Sequence, residues 1–172
     1  MGISELRWVG SGHFKSGDYK VLYSGHEAKK RNGVAIICGK KSAQAILGYN
    51  TISDRIISIS FRSQPVNISV VQIYAPATGA DEDEIEEFYD KLRETLDNIP
   101  KGDILVVMGD YNAKVGQQSM PPMVGKHGLG NMNEAGERLV DFCAAQELVI
   151  ANTWFVQPKG VYTRGQPRVA NT

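Results

Sequence analysis

The chain has 172 residues, 42% of them hydrophobic and 22% charged, which suits one soluble globular domain. Nineteen basic side chains balance nineteen acidic ones, so the strongly basic signature of many nucleic-acid binders is absent at whole-chain level. No apolar run reaches the ~20 residues that span a bilayer, and Glu5 and Arg7 interrupt the start before any signal-peptide core can form.

In chain order, GISELRW (2–8) reads as a short strand end. Residues 9–18 are rich in Gly, Ser and Lys and read as a loop. YKVLYS (19–24), GVAIIC (33–38), AQAILGY (43–49), RIISISF (55–61) and NISVVQIYA (67–75) read as strands. The last two alternate partly and are rich in Ile and Val. The period then changes. Ile85, Phe88, Tyr89, Leu92 and Leu96 recur at helical spacing, with Asp81 as N-cap and Pro100 beyond the end. The acids of DEDEIEE (81–87) complement the dipole of that helix. DILVVMGD (103–110) is a continuous apolar strand, which predicts burial on both faces. Residues 116–132 show no periodicity and predict a long loop. Asn133 is expected to cap a second helix with Leu139, Phe142 and Cys143 inward, and ELVIANT (147–153) reads as a further strand. VYTRGQPRVANT (161–172) holds one possible strand start. The pattern predicts a layered α/β domain with an antiparallel or mixed core.

Several apparent motifs carry no chemistry. GVAIICGKK (33–41) has five residues between its glycines and Lys41 in place of Ser/Thr, so it is not a phosphate loop. GKHGLGN (125–131) follows no strand. The sequon Asn67-Ile-Ser69 falls in a strand of a chain without a secretory signal. His13, His26 and His127 lie in predicted loops without metal-ligand spacing, and Cys38 and Cys143 sit in apolar segments as free thiols. No G-x-S-x-G elbow supports a hydrolase triad.

Three places break the apolar pattern. MGDYNAKVG (108–116) ends a strand in Asp110 and Asn112, an acid and an amide two residues apart. Polar residues at strand ends line ligand crevices in layered α/β folds. Their plain structural reading is an Asx-turn. Glu5 stands between Ile3 and Leu6, and Tyr74 ends VVQIY just before Ala75-Pro76. If these four met, a carboxylate could hold Mg²⁺, which takes few protein ligands, while Asn and Tyr support phosphoryl charge.

ISELRW, QIYAP and GDYNAKVG, in that order, resemble the endonuclease/exonuclease/phosphatase superfamily. With RRNGVAII, DRIISISF, NEAGERLVDFC and LVIANTWF, the chain resembles more closely the apurinic-endonuclease-like domain of RTE-type non-LTR retrotransposons and the craniofacial development protein 2-like proteins. The resemblance implies a four-layer, deoxyribonuclease-I-like α/β sandwich over residues 1–172. It implies Mg²⁺- or Mn²⁺-dependent cleavage of DNA, nicking to leave a 3′ hydroxyl. By motif, Glu5 corresponds to the metal ligand, Tyr74 to the tyrosine that contacts phosphate, and Asp110 and Asn112 to the pair that orients water and stabilises the transition state. Asn133 is given a capping role alone.

The family's Asn-bearing strand before the Glu motif, its later Asp-bearing strand and its Ser-Asp-His motif have no counterpart here. Tyr162-Thr163-Arg164 stands where members read Tyr-Thr-Trp. The expectation is thus a domain truncated at both ends with impaired cleavage. The alternatives are a catalytically dead remnant, or a phosphomonoesterase or lipid-phosphate phosphatase on the same fold. The implied partner is DNA, with a reverse-transcriptase region in an intact parent, no membrane, and a nuclear or cytoplasmic location.

Overall fold

The computed structural model describes residues 1–156 and divides into two compact units, Met1–Ala113 and Lys114–Thr172. The segment 161–172, with its possible strand start and Arg164, lies outside the described residues.

The first unit holds two four-stranded sheets. One is antiparallel, in the order β1 (Gly2–Ser4), β4 (Val34–Cys38), β3 (Tyr19–Ser24), β2 (Ser11–Ser16). The other runs β5 (Ile46–Ser53), β6 (Ile56–Phe61), β7 (Ile68–Tyr74), β8 (Ile104–Asp110), antiparallel except for the parallel β7–β8 pair. The side-chain period of two explains how they pack. Leu22, Val34, Ile36 and Cys38 of the first sheet meet Ile57 and Ile59 of the second in one buried cluster. Their neighbours in β6 and β7, Ile56, Val71 and Ile73, are also fully buried. Helix α2 (Glu82–Asp97) links β7 to β8 and buries Phe88, Tyr89, Leu92 and Leu96. Its first turn carries Glu82, Asp83 and Glu84, the favourable sign for a helix N-terminus. Asp81 holds the N-cap position through its backbone, without a side-chain cap bond.

The structure departs from sequence patterning in three element assignments and in the burial of one strand. Residues 11–16, expected to be loop, form β2, an edge strand that pairs with β3 through the two-residue turn Gly17-Asp18. Its apolar content is low because an edge strand is exposed on most sides, and the Gly-Asp turn was the signal available. His13 therefore lies in a strand, with Nδ1 at 2.8 Å from the Tyr49 hydroxyl. The run 43–49, expected to be one strand, is split between the end of helix α1 (Lys40–Gln44) and the start of β5. Short apolar runs do not distinguish the two states by period. Strand β8 is not buried on both faces. It is the sheet's edge among the described residues, with Ile104 52% and Val106 41% exposed. ELVIANT makes no strand. Ile150 forms an isolated bridge with Val124, and Ala151–Thr153 is a single 3₁₀ turn.

In the second unit, Asn133 caps helix α3 (Glu134–Ala145) as the sequence predicts. Its Oδ1 accepts from Gly136 N and Lys114 N, each at 2.9 Å. Leu139, Phe142 and Cys143 are buried. The long segment before it is loop with a bridge between Met120 and Val124. Thr153, 2% exposed, pins that loop by accepting from Gly125 N at 2.7 Å and donating to Ile150 O at 2.6 Å.

Gly109 has φ +143°, and a Cβ there would stand 2.0 Å from Ile73 O. Gly109→Ala should destabilise the first unit by about 1–3 kcal/mol from backbone strain alone, read as a lower urea midpoint at unchanged slope. Burial pushes the Cys143 thiol up from 9.0 to about 11. The unfolded chain then ionises this group first, so stability should fall as pH rises from about 9.0 through about 11. Chemical denaturation of the protein and of Cys143→Ala across that pH range checks this, the variant losing that part of the decline.

Candidate active site

The parallel pairing of β7 with β8 brings two strands to an end at the same edge. Tyr74 and Asp110 are register partners there. Beyond them the chains stay locked together: Ala75 N donates to Asp110 O at 2.8 Å, and Asn112 Nδ2 donates to Ala75 O at 2.9 Å. Asp110 Oδ1 accepts from Asn112 N at 2.9 Å, closing an Asx-turn. Asn112 sits at φ +48°, a left-handed conformation that asparagine tolerates better than most residues. The structural reading of Asp-x-Asn is therefore satisfied. It leaves Asp110 Oδ2 and the second Asn112 amide proton outside these bonds.

Glu5 reaches this edge from the other sheet. Strand β1 crosses β7 and β8 so closely that a Cβ on Gly2 would overlap the Gln72 side chain and touch Met108. Ser4 Oγ donates to Ile73 O at 2.9 Å and accepts from Gln72 Nε2 at 3.0 Å. Gln72, 2% exposed, thus ties β1 to the residue preceding Tyr74. After Ser4 the chain turns through two left-handed residues, Glu5 (φ 59°) and Arg7 (φ 57°). Leu6 N donates to Gly33 O at 2.9 Å and Arg7 N to Asn32 O at 2.7 Å, which fixes this turn on the 25–33 segment. Glu5, Tyr74, Asp110 and Asn112 all stand at this one end of the sandwich, Glu5 and Asp110 both exposed.

Two arginines belong to the same surroundings, and neither was singled out from sequence. Arg7 donates through Nη2 to Glu5 Oε1. The hydrogen bond and charge of Glu5 raise the Arg7 pKa, and the Tyr74 phenol adds a smaller effect in the same direction. The Glu-x-Arg spacing in ELR was visible, but nothing in it announces a left-handed turn that faces both charges together. Arg55, with only 13% of its side chain exposed, lies with its guanidinium carbon 5.3 Å from the Tyr74 ring centroid. It also donates to Tyr74 O at 3.1 Å and to Glu84 Oε1 at 2.6 Å. A cation held on both sides by hydrogen bonds sets the plane of the tyrosine ring.

The donors suit a hard cation. Among the described residues no three His, Cys, Asp or Glu side chains cluster to hold a metal. One or two carboxylates at an open strand edge match Mg²⁺, which keeps most of its shell for water and phosphate oxygens. Glu5 is the carboxylate that would hold it. The remaining histidines have bonds of their own. His26 Nδ1 accepts from Ala28 N and Lys29 N, each at 3.1 Å, and His127 N donates to Thr153 O at 2.8 Å.

No protein-family model matches the chain. It is 47% identical over 168 residues to craniofacial development protein 2 of Tragulus javanicus and 46% identical to that of Bos taurus, in each case across 97% of this chain. The chain spans 29% and 28% of the length of those two relatives. Among solved structures it is similar to the endonuclease domain of TRAS1, a telomere-specific non-LTR retrotransposon, at 15% identity and a TM-score of 0.51. That match covers 77% of this chain and 54% of the other. The fold thus has a counterpart in a solved endonuclease domain, and the chain is an endonuclease-like α/β sandwich similar in sequence to craniofacial development protein 2.

Proposed function

We propose that the edge formed by Glu5, Tyr74, Asp110 and Asn112 is a divalent-metal phosphodiesterase site that acts on DNA. The observation that carries this reading is the meeting of the Glu5 turn with the ends of β7 and β8, tied through Ser4 and Gln72 to Ile73. Bound Mg²⁺ or Mn²⁺ would polarise the phosphodiester as a Lewis acid. Asp110 Oδ2, outside the Asx-turn, orients a water and takes its proton as the water oxygen bonds to phosphorus. The bond from phosphorus to the 3′ oxygen breaks, and that oxygen is protonated from solvent to leave a 3′ hydroxyl. The second Asn112 amide proton and the Tyr74 hydroxyl donate to the non-bridging oxygens as their charge grows. The retrotransposon origin, the reverse-transcriptase partner and the nuclear setting belong to the same proposal and rest on likeness to the relatives.

A second reading, nucleic-acid binding without cleavage, draws on the Glu5–Arg7 ion pair, because that carboxylate already has a cationic partner. Plasmid nicking separates the two. Asp110→Asn keeps an oxygen to accept from Asn112 N, so folding stability should stay within about 0.5 kcal/mol. Nicking of supercoiled plasmid in Mg²⁺ should fall by roughly 10² or more, as for other transition-state groups, and stop in EDTA. Calorimetric titration should show Mn²⁺ binding that Glu5→Gln weakens. Nicking unchanged in Asp110→Asn removes this site from the reaction. An absence of both nicking and metal binding selects the second reading.

A further inference from the structure

The segment that leaves the Glu5 turn carries more than the turn itself. Arg7, Trp8 and Val9 run beside residues 25–33, held by Arg7 N to Asn32 O at 2.7 Å, Gly10 N to His26 O at 3.0 Å, and a bridge between Val9 and His26. Gly25 packs so closely under Trp8 that a Cβ there would stand 2.0 Å from Trp8 O. Two unlike features therefore adjoin one strip of backbone. One is aromatic. The Trp8 ring lies 5.8 Å from Phe14 and 5.5 Å, edge to face, from Tyr23, yet Trp8 is 43% and Phe14 40% exposed. The other is cationic. Lys29, Lys30 and Arg31 are all exposed, with Glu27 the one acid in the turn, and among the described residues none of the three cations is ion-paired. His26 Nδ1, by accepting from Ala28 N and Lys29 N, fixes where that turn begins.

A large indole braced by two rings but open to solvent loses little entropy when another flat ring stacks on it. Backbone phosphates supply the anions that unpaired lysines and arginine attract. Rings beside cations, both continuous with the Glu5 turn, match a strand whose base is free to stack and whose backbone is charged. A duplex hides its base faces, and an acidic peptide would use the cations but leave the rings uncovered.

We propose that Trp8, Phe14 and the Lys29–Lys30–Arg31 turn form a binding strip for unpaired single-stranded DNA leading into the candidate active site, the ring of Trp8 stacking on a base and the turn holding phosphates. This deepens the phosphodiesterase reading and rests on it for the identity of the ligand, but the binding itself needs no metal and no cleavage. Such a strip would let a chain of zero net charge attract phosphates, because its cations are clustered locally.

The test is oligothymidylate binding in EDTA, followed by fluorescence in a Trp154→Phe background so that Trp8 is the remaining tryptophan. The expected result is quenching of Trp8 on binding, with affinity for the single strand at least tenfold above that for a duplex of equal length. Trp8→Ala should lower single-strand affinity by roughly tenfold, at about 1–3 kcal/mol per stacked base, while Trp8→Phe restores most of it. Replacing Lys29, Lys30 and Arg31 with Ala, all exposed positions, should flatten the slope of log affinity against log salt by about 2, at roughly 0.7 per phosphate on a single strand. Unquenched Trp8, an unchanged salt slope in the triple variant, or a preference for duplex overturns the proposal. Loss of nicking with Trp8 quenching intact would sink the phosphodiesterase reading alone.

Discussion

The candidate site depends on the parallel bond ladder between β7 and β8. Antiparallel neighbours would send Tyr74 and Asp110 to opposite ends of the sheet. Parallel neighbours in register place them side by side, and the last bonds of the ladder, from Ala75 N to Asp110 O and from Asn112 Nδ2 to Ala75 O, extend that alignment into the turn. Gly109 is what lets the two backbones come together there, since any side chain would strike Ile73 O. The catalytic reading of Asp110 and Asn112 and their structural reading are therefore not rivals. The Asx-turn uses one carboxylate oxygen and one amide proton and in doing so aims the rest.

The opposite contribution comes from β1, a strand of three residues that stays in place through polar bonds more than burial. Ser4 and Gln72 form a small buried network against Ile73 O, and the close approach at Gly2 makes room for it. Buried amides of this kind cost several kcal/mol if unpaired, so they specify one arrangement. Around them the charged groups are arranged in pairs, Glu5 with Arg7 and Arg55 with Glu84, the latter cation also covering Tyr74. These arginines lend the acidic and phenolic groups positive neighbours in a chain whose formal charge is zero.

Much of this was legible beforehand. Residues with strong periodicity, in β6, β7 and α2, declared themselves, and Asn133 announced its helix by residue type and position. The four polar breaks, Glu5, Tyr74, Asp110 and Asn112, were visible because each interrupts or ends an apolar run, and family motifs supplied their grouping. What could not be read was how exposed an element lies in the sheet and what a side chain faces once the chain is folded. β2 lacks an apolar face of its own, β8 has the composition of a doubly buried strand although it lies at an edge of the described sheet, and ELVIANT has strand composition but no ladder to join. Arg7 and Arg55 escaped notice for the same reason, since an arginine's role lies in what it faces.

The span between the bonded groups orders events as the chain folds. Units such as β5–β6 and β6–β7 join neighbours and close short loops, which is entropically cheap and fast. The Ser4–Ile73 bond bridges 69 positions and the Gln72–Ser4 bond 68, so these are among the most remote contacts the first unit must find. The Glu5 turn reaches the end of β7 only once the two sheets have docked. A half-assembled chain with its β5–β6 and β6–β7 hairpins intact would still lack both the parallel register that sets Tyr74 beside Asp110 and the Glu5 turn, so the candidate site is completed by docking rather than by secondary structure.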